Sequence, residues 1–387
     1  MNIFEKDKEY IAGTYNRFPV HIVSGQGSVL KDINGKEYID MGCGIGVTSF
    51  GIADEEWQSA VIGQIGKVQH TSNLYYTEPC VMLAEQLCLR TGMKKVFFSN
   101  SGAEANECAI KVARKYAYEK RGDNCYTVVT LKNSFHGRTL TTLAATGQEH
   151  YHELFRPLTP GFVSIESGDI NALENLASEQ IAAVMIECVQ GEGGVLPVSH
   201  SFADAVGTFC RDNDILLIVD EVQTGNGRSG MLYSYMNYGL HPDIVSTAKG
   251  LAGGLPLGAT LLGDKVQDVL GFGDHGSTFG GNPVCCAAAI SVLSRIDDGL
   301  LEGVRKKSAY MKSQFLDADG INEVTGLGLL IGLKTIRPAG EIVKDLIKDG
   351  VLCLTAKDRV RLMPALNIPD ALLKTAVEKI KAACRQA

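Results

Sequence analysis

The sequence predicts an α/β protein built on a mostly parallel sheet, on three observations. Short β-rich runs alternate with helix-like segments from about Lys94 onward. Two of the runs, "AAVMIE" and "ILLIVD", are continuously apolar rather than alternating, as expected of strands covered on both faces by helices. Apolar runs also end repeatedly in polar or glycine-rich loops, and open α/β sheets bind their ligands at those carboxyl ends.

In chain order, "VSGQGSVLKDINGKEYID" alternates and turns at Asn34-Gly35, which predicts a hairpin or meander. "KKVFFSN" predicts a strand of the central sheet, and "GAEANECAIKVARKYAYEK" an amphipathic helix directly after it. "NCYTVVTLKN", "IAAVMIECV", "DILLIVDEV" and "PDIVSTAKG" predict further strands, with a helix through "FADAVGTFCRDN". After Asn282 the helical "PVCCAAAISVLSRIDD" precedes strands near "GLGLLIGLKT" and "RVRLMP". A chain of 387 residues has room for two cores. The expected division is an N-terminal segment of a small domain at 1–45, a large domain at 46–281, and the C-terminal part of the small domain at 282–387.

The formal charge of −7 lacks the basic excess that nucleic-acid or anionic-membrane binding requires, so the expected partner is a small molecule or a second copy of the chain. Eleven cysteines are scattered singly apart from Cys285-Cys286, with no C-x-x-C and no metal-like His/Cys spacing. They read as reduced, and no metal is expected. The start "MNIFEKDKEY" lacks the apolar stretch of a signal peptide and no run approaches a membrane span, which predicts a cytoplasmic protein.

Chemistry concentrates at the strand ends. Asp220 closes "LLIVD", where an ionised carboxylate is costly unless it meets a cation or a hydrogen-bond donor; a plain turn cap is the competing reading. Lys249 closes "DIVSTAK" before a glycine-dense turn. Most strand-end lysines are solvated, but a buried one with a lowered pKa is what imine chemistry with a carbonyl demands. In "FFSNSGAEAN" small residues open a helix just after a strand, so the amides near Ser101, Gly102 and Ala103 form a phosphate cradle; Ser101 with Glu104 also reads as a capping box. "NSFHGRTL" sets Phe135, His136 and Arg138 in a loop, an aromatic face beside a guanidinium. "GNGRSG" matches G-x-G-x-x-G but leads into "MLYSYMNYG" rather than opening a helix after its strand, so it is rejected as a dinucleotide fingerprint. A lysine for an imine, an acid for a ring nitrogen, a phosphate cradle and a stacking aromatic together describe pyridoxal 5′-phosphate.

These residues stand in eight motifs: "NGKEYIDMGCGIGV", "FFSNSGAEANECAIKVAR", "FHGRTL", "IECVQGEGGV", "LLIVDEVQTGNGRSG", "PDIVSTAKGLAGGLPLGA", "HGSTFGGNP" and "VRLMPALN". Over nearly its full length the chain resembles the class III, or ω-amino, pyridoxal-phosphate aminotransferases, and within them the acetylornithine-type members. The resemblance implies the aspartate aminotransferase fold type, with a seven-stranded, mainly parallel sheet in a large domain, a small α/β domain from both chain ends, and a homodimer with sites at its interface. It implies that Lys249 holds the cofactor aldehyde and moves the substrate proton, and that Asp220 partners the pyridine nitrogen. Val222 and Gln223 pack on the ring and reach its phenolic oxygen. Ser101, Gly102 and Ala103 meet the phosphate, with Thr278 reaching it from the other subunit. Phe135 stacks, Arg138 clamps the distant substrate carboxylate, and Ser277 and Tyr15 lie near the substrate.

The same resemblance makes Glu192 a screen over Arg361, lifted when a substrate brings a carboxylate at its reacting carbon. The implied reaction moves the δ-amine of N-acetylornithine to 2-oxoglutarate, giving N-acetylglutamate 5-semialdehyde and glutamate. Competing readings are transamination of succinylornithine, succinyldiaminopimelate, ornithine or 4-aminobutyrate, an aminomutase on the same apparatus, and, from another class, a non-catalytic nucleotide-binding protein. Two departures from the family pattern stand out: Ala103 replaces a common threonine, and "FGIADEEW" stands where the family has a G-H-x-H-P-like turn.

Overall fold

The computed structural model describes residues 2–385. Its centre is a seven-stranded sheet in the order Lys95–Ser99, Gly258–Leu262, Ile244–Thr247, Leu216–Asp220, Ile181–Ile186, Thr127–Leu131 and Phe162–Ile165. Gly258–Leu262 runs antiparallel to both neighbours, and the other pairings are parallel. The mainly parallel sheet is therefore as expected, with two strands the sequence reading did not single out: Phe162–Ile165 at one edge and Gly258–Leu262 inside.

The apolar runs are continuous because successive residues feed two different cores. Ala183, Met185, Leu216, Ile218 and Ile244 pack with Cys108, Ile110, Val112 and Tyr116 of the helix Gly102–Arg121. Their sequence neighbours Val184, Ile186, Leu217, Val219 and Val245 lie in the opposite core with Leu83, Leu87, Phe202 and Val206. Burial of one such side chain contributes about 1.5–3 kcal/mol, so a two-sided strand is held far more firmly than an edge.

The two chain ends meet in one sheet. Ile22–Gln26, Val29–Asp32 and Glu37–Asp40 form the expected meander, and Val351–Leu352 joins it parallel to Glu37–Asp40. The turn at Asn34-Gly35 is organised by Asp32, whose Oδ1 accepts the N–H groups of Asn34 and Lys36 at 2.9 and 3.0 Å. A second four-stranded sheet holds Ile321–Leu327, Leu330–Thr335, Arg359–Leu362 and Leu354–Ala356.

Ile39 and Met41 share a core with Ile342, Leu346, Val351, Val377 and Ile380. The helix Pro283–Ser294 does not join that core: Cys286, Ala289, Val292 and Leu293 lie in the core of the central sheet. Among the described residues no helix is long and apolar enough to cross a membrane.

Candidate active site

A cavity of about 480 Å³ opens at the carboxyl ends of the central strands. Its lining includes Ser101, Gly102, Ala103, Phe135, Arg138, Asp220, Val222, Gln223 and Lys249, so residues nearly 150 positions apart in sequence converge there. The convergence follows from topology, since parallel strands place all their carboxyl ends on one side.

Ser101 caps the helix Gly102–Arg121, its Oγ accepting the Glu104 N–H at 3.2 Å. The return bond expected of a capping box goes one residue further back, with Glu104 Oε2 accepting the Asn100 N–H at 2.9 Å. Among the described residues the N–H groups of Gly102 and Ala103 have no acceptor, as the first turn of a helix leaves them. Gly102 is a glycine for a steric reason: a Cβ there would stand 2.5 Å from Val222 Cγ1.

Asp220 is buried and triply bound. Its Oδ2 meets Asn106 Nδ2 at 2.7 Å and His136 Nδ1 at 2.8 Å, and its Oδ1 accepts the Val222 N–H at 2.9 Å. Burial by itself would lower the His136 pKa, but the hydrogen bond and charge of Asp220, with the charge of Glu187, leave it raised. The turn-cap reading thus holds through Val222, and the demand for donors is met as well.

Lys249 adopts φ +44°, a left-handed conformation disfavoured for any residue with a Cβ and found where the surroundings enforce it. Its amine faces the cavity and has no hydrogen-bond or ion-pair partner among the described residues. Burial pushes its pKa down, opposed by the charges of Glu192 and Asp220 and assisted by Arg361. The turn is braced from behind by the segment that departs from the family pattern. Trp57 Nε1 donates to the Ala252 carbonyl at 2.9 Å, Asp54 pairs with Arg295 at 2.8 Å, and the Arg295 guanidinium lies over the Phe50 ring.

Glu192, Gln223 and Arg361 form a closed triangle beside the cavity. Arg361 Nη1 meets Glu192 Oε1 at 2.6 Å and Gln223 Oε1 at 3.0 Å, and Gln223 Nε2 donates to Glu192 Oε1 at 3.1 Å. Burial would raise the Glu192 pKa, yet the charge and hydrogen bond of Arg361 hold it below the usual carboxylate range. Arg138 is exposed, with its guanidinium carbon 5.5 Å from the Phe135 ring centroid.

Besides Glu192 and Arg361, which stand next to the cavity without lining it, three expected residues lie off it. Ser277 is linked to it through Asn100, whose Nδ2 donates to Ser277 Oγ at 3.1 Å. Thr278 is exposed and faces a different hollow with Asn73, Tyr75 and Tyr76. Tyr15 is exposed in a hollow of the N-terminal segment, next to Arg17.

Among the lining residues that the sequence did not single out are three with polar side chains, Asn100, Asn106 and Glu187. Asn106 sits one turn after Gly102 on the same helix, and Glu187 closes the apolar run "AAVMI" just as Asp220 closes "LLIV". The rejected "GNGRSG" motif opens no helix. Asn226 Nδ2 instead bonds the Ala248 carbonyl at 3.2 Å, and the buried Arg228 reaches the carbonyls of Leu329 and Pro364.

The family model described as "Aminotransferase class-III" matches residues 10–384, and the chain belongs to that family, whose members work with pyridoxal 5′-phosphate. It is 48% identical over 378 residues to the acetylornithine aminotransferase of Haemophilus ducreyi, covering 97% of this chain and 96% of that protein. It is 41% identical over 382 residues to the acetylornithine aminotransferase of Methanocaldococcus jannaschii, covering 96% of each.

Among solved structures, the ornithine aminotransferase from Toxoplasma gondii ME49 superposes with a TM-score of 0.93 at 32% identity, covering 98% of this chain and 94% of that one. The N-acetylornithine aminotransferase from Stenotrophomonas maltophilia K279a gives 0.85 at 33% identity, covering 98% of each chain. The fold is the aspartate aminotransferase type.

The residues present fit the cofactor. An unpartnered amine, a fixed buried carboxylate and two uncommitted helix-start amides share one cavity, and these are the groups an aldehyde, a pyridine nitrogen and a phosphate require.

Proposed function

We propose that the protein transfers the δ-amino group of N2-acetyl-L-ornithine to 2-oxoglutarate, giving N-acetyl-L-glutamate 5-semialdehyde and L-glutamate, a step of arginine biosynthesis. The observation that carries this reading is a lone amine, Lys249, lining the cavity, with an arginine, Arg361, held next to that cavity through Gln223, near enough to act on the amine by charge, and covered by Glu192. A donor reacting at an ω-amine has no carboxylate at that carbon, whereas glutamate does, so the site needs a cation that is covered for one and free for the other. The names and extent of the relatives support the same donor.

Pyridoxal phosphate, when bound, supplies the electron sink that lets a carbon–hydrogen bond next to nitrogen be broken. Lys249 would hold it and move the proton at that carbon, a task that needs a neutral amine, which burial favours. Asp220 would keep the ring nitrogen charged, itself oriented by Asn106, His136 and the Val222 amide. Gly102 and Ala103 would hold the phosphate through N–H groups. Val222 and Gln223 would pack at the ring, Phe135 would stack on it, and Arg138 would take the substrate's distant carboxylate, with Ser277 and Tyr15 nearby.

The reading includes a homodimer in which Thr278 reaches the phosphate of the other subunit. Leu74, Tyr75, Tyr76, Phe272 and Phe279 are exposed apolar side chains around Thr278 in sequence or space, as an uncovered interface would be. It also includes a small domain formed by both chain ends around a large one, and a cytoplasmic location, for which the eleven free cysteines speak.

The test is a coupled assay of 2-oxoglutarate-dependent transamination with N-acetylornithine, succinylornithine, succinyldiaminopimelate, ornithine and 4-aminobutyrate as donors. N-acetylornithine should give the highest kcat/KM, and no preference for it would overturn the donor assignment. Lys249→Ala should abolish turnover and borohydride trapping of the cofactor on the chain. Light scattering of the purified protein checks the dimer.

A further inference from the structure

Glu187 is a second buried acid at the site, and the reaction as read above gives it no task. It is 5% exposed and follows the strand Ile181–Ile186, whose Ile186 pairs in register with Val219 of the neighbouring parallel strand. Asp220 and Glu187 therefore stand side by side at the ends of adjacent strands, both lining the cavity. Their carboxylates hold consecutive residues of one loop. Glu187 Oε1 accepts the Phe135 N–H at 2.8 Å, and Asp220 Oδ2 meets the His136 ring at 2.8 Å. Glu187 Oε2 also accepts the Gly191 N–H, at 3.4 Å.

A buried acid is expensive, since desolvation disfavours its charge. Burial raises the Glu187 pKa to about 7, with His136 opposing the rise and Asp220 adding to it. The charged groups facing it are His136, Asp220 and, further off, Lys249, and the buried Cys188 thiol adjoins it in the chain. A carboxylate accepts from two backbone N–H groups at once; a glutamine offers one oxygen and turns a donor toward the other N–H.

We infer that Glu187 is a positioning residue, which ties the Phe135 backbone to the strand end beside Asp220 and so fixes the aromatic wall against which the cofactor ring is held. The role rests on the cofactor reading above. Asp220 and Glu187 are two of the loop's anchors, one on a side chain and one on the main chain; the Asn106 amide and the Thr146 hydroxyl hold the His136 main chain as well, but Glu187 holds that of Phe135. Loss of the Glu187 anchor frees the ring of Phe135 without touching the groups that hold phosphate or pyridine nitrogen.

The experiment compares wild type, Glu187→Gln and Glu187→Ala as holoenzymes. It measures cofactor dissociation by fluorescence, steady-state kinetics, and the pH profile of cofactor affinity. Glu187→Ala should weaken cofactor binding about tenfold, the effect of losing one charged hydrogen bond and its order, while Glu187→Gln keeps it within about threefold. The fall should appear in kcat more than in the KM of either substrate.

The wild-type affinity profile should bend near neutrality, where Glu187 gains its proton, and the bend should be missing in Glu187→Gln. Cofactor affinity and kcat of Glu187→Ala within twofold of wild type would overturn the inference, as would a bend retained by Glu187→Gln. Wild-type protein that binds no pyridoxal phosphate would overturn the cofactor reading instead. If Glu187→Ala does not fold, Glu187→Gln with its pH profile still decides.

Discussion

Arg361 Nη1 lies 2.6 Å from Glu192 Oε1, and the two side chains differ in their access to solvent: the Arg361 side chain is 4% exposed and that of Glu192 26%. The arginine is fixed and the glutamate has room to leave. A buried guanidinium stripped of its partner is costly, so whatever displaces Glu192 must bring a negative charge of its own.

Glu192→Gln should therefore shift the balance between the two half-reactions. With the opposing charge gone, Arg361 stands ready for a substrate carboxylate, and the KM for 2-oxoglutarate should fall about three- to tenfold while kcat/KM for the ω-amino donor drops about tenfold. Steady-state kinetics with each substrate varied in turn would measure both. An unchanged ratio of the two specificity constants would remove Glu192 from any screening role.

Gln223 is the third corner of the triangle, and Gly191 leaves it the room. A Cβ on residue 191 would overlap the Gln223 carboxamide oxygen, the atom that accepts from Arg361. Gly191→Ala should push the amide aside at a stability cost of about 1–3 kcal/mol and lower kcat/KM for both substrates. Urea denaturation and kinetics together check it. A stable variant with unchanged kinetics would mean that the Gln223–Arg361 contact is not needed.

Much of this site was legible in the sequence because charge interrupts apolar runs. Asp220 ends a strand buried on both faces and Lys249 stands two residues past the end of another, where a charge is costly unless it meets a partner. Glu187 carried the same signal in "VMIECV" but stood in the shadow of the glycine-rich turn after it. Asn106 could not be seen: it meets Asp220 across 114 residues, a relation that exists only after folding. The strand Gly258–Leu262 follows directly on the glycine-dense turn and begins with a glycine itself, and the edge strand Phe162–Ile165 buries only its last residue, so neither shows the continuous apolar run of the central strands. Thr278 and Tyr15 sit outside the cavity of a single chain, and no pattern within one chain says what a second copy would cover.

The segment "FGIADEEW" acts through Trp57, whose indole holds the Ala252 carbonyl at the end of the turn that starts at Lys249. Trp57→Phe keeps the aromatic body and deletes the donor, which should cost about 1 kcal/mol of stability. It should also loosen the Lys249 turn, seen as faster loss of bound cofactor during dialysis against an amine that competes for the aldehyde. Unfolding midpoint and cofactor retention equal to wild type would show the bond to be incidental.

Lys249 itself should be a liability to the apoprotein, for two separable reasons. Its φ of +44° strains any residue with a Cβ, so Lys249→Gly should be more stable than Lys249→Ala by about 1 kcal/mol. Its amine is also buried, with a pKa lowered in the folded state. The folded protein then binds fewer protons than the unfolded chain in the window between the lowered pKa and the ordinary lysine value. Stability therefore rises with pH through that window, and is lost as pH falls through the folded pKa. Both substitutions remove this dependence, so their advantage over wild type should be largest at the acidic end of the range and shrink as pH increases. Urea unfolding of the three apoproteins from pH 6 to pH 9 would measure it. An advantage that grows with pH would contradict the burial of a neutralised amine, while Lys249→Ala matching Lys249→Gly at every pH would place the strain elsewhere in the turn.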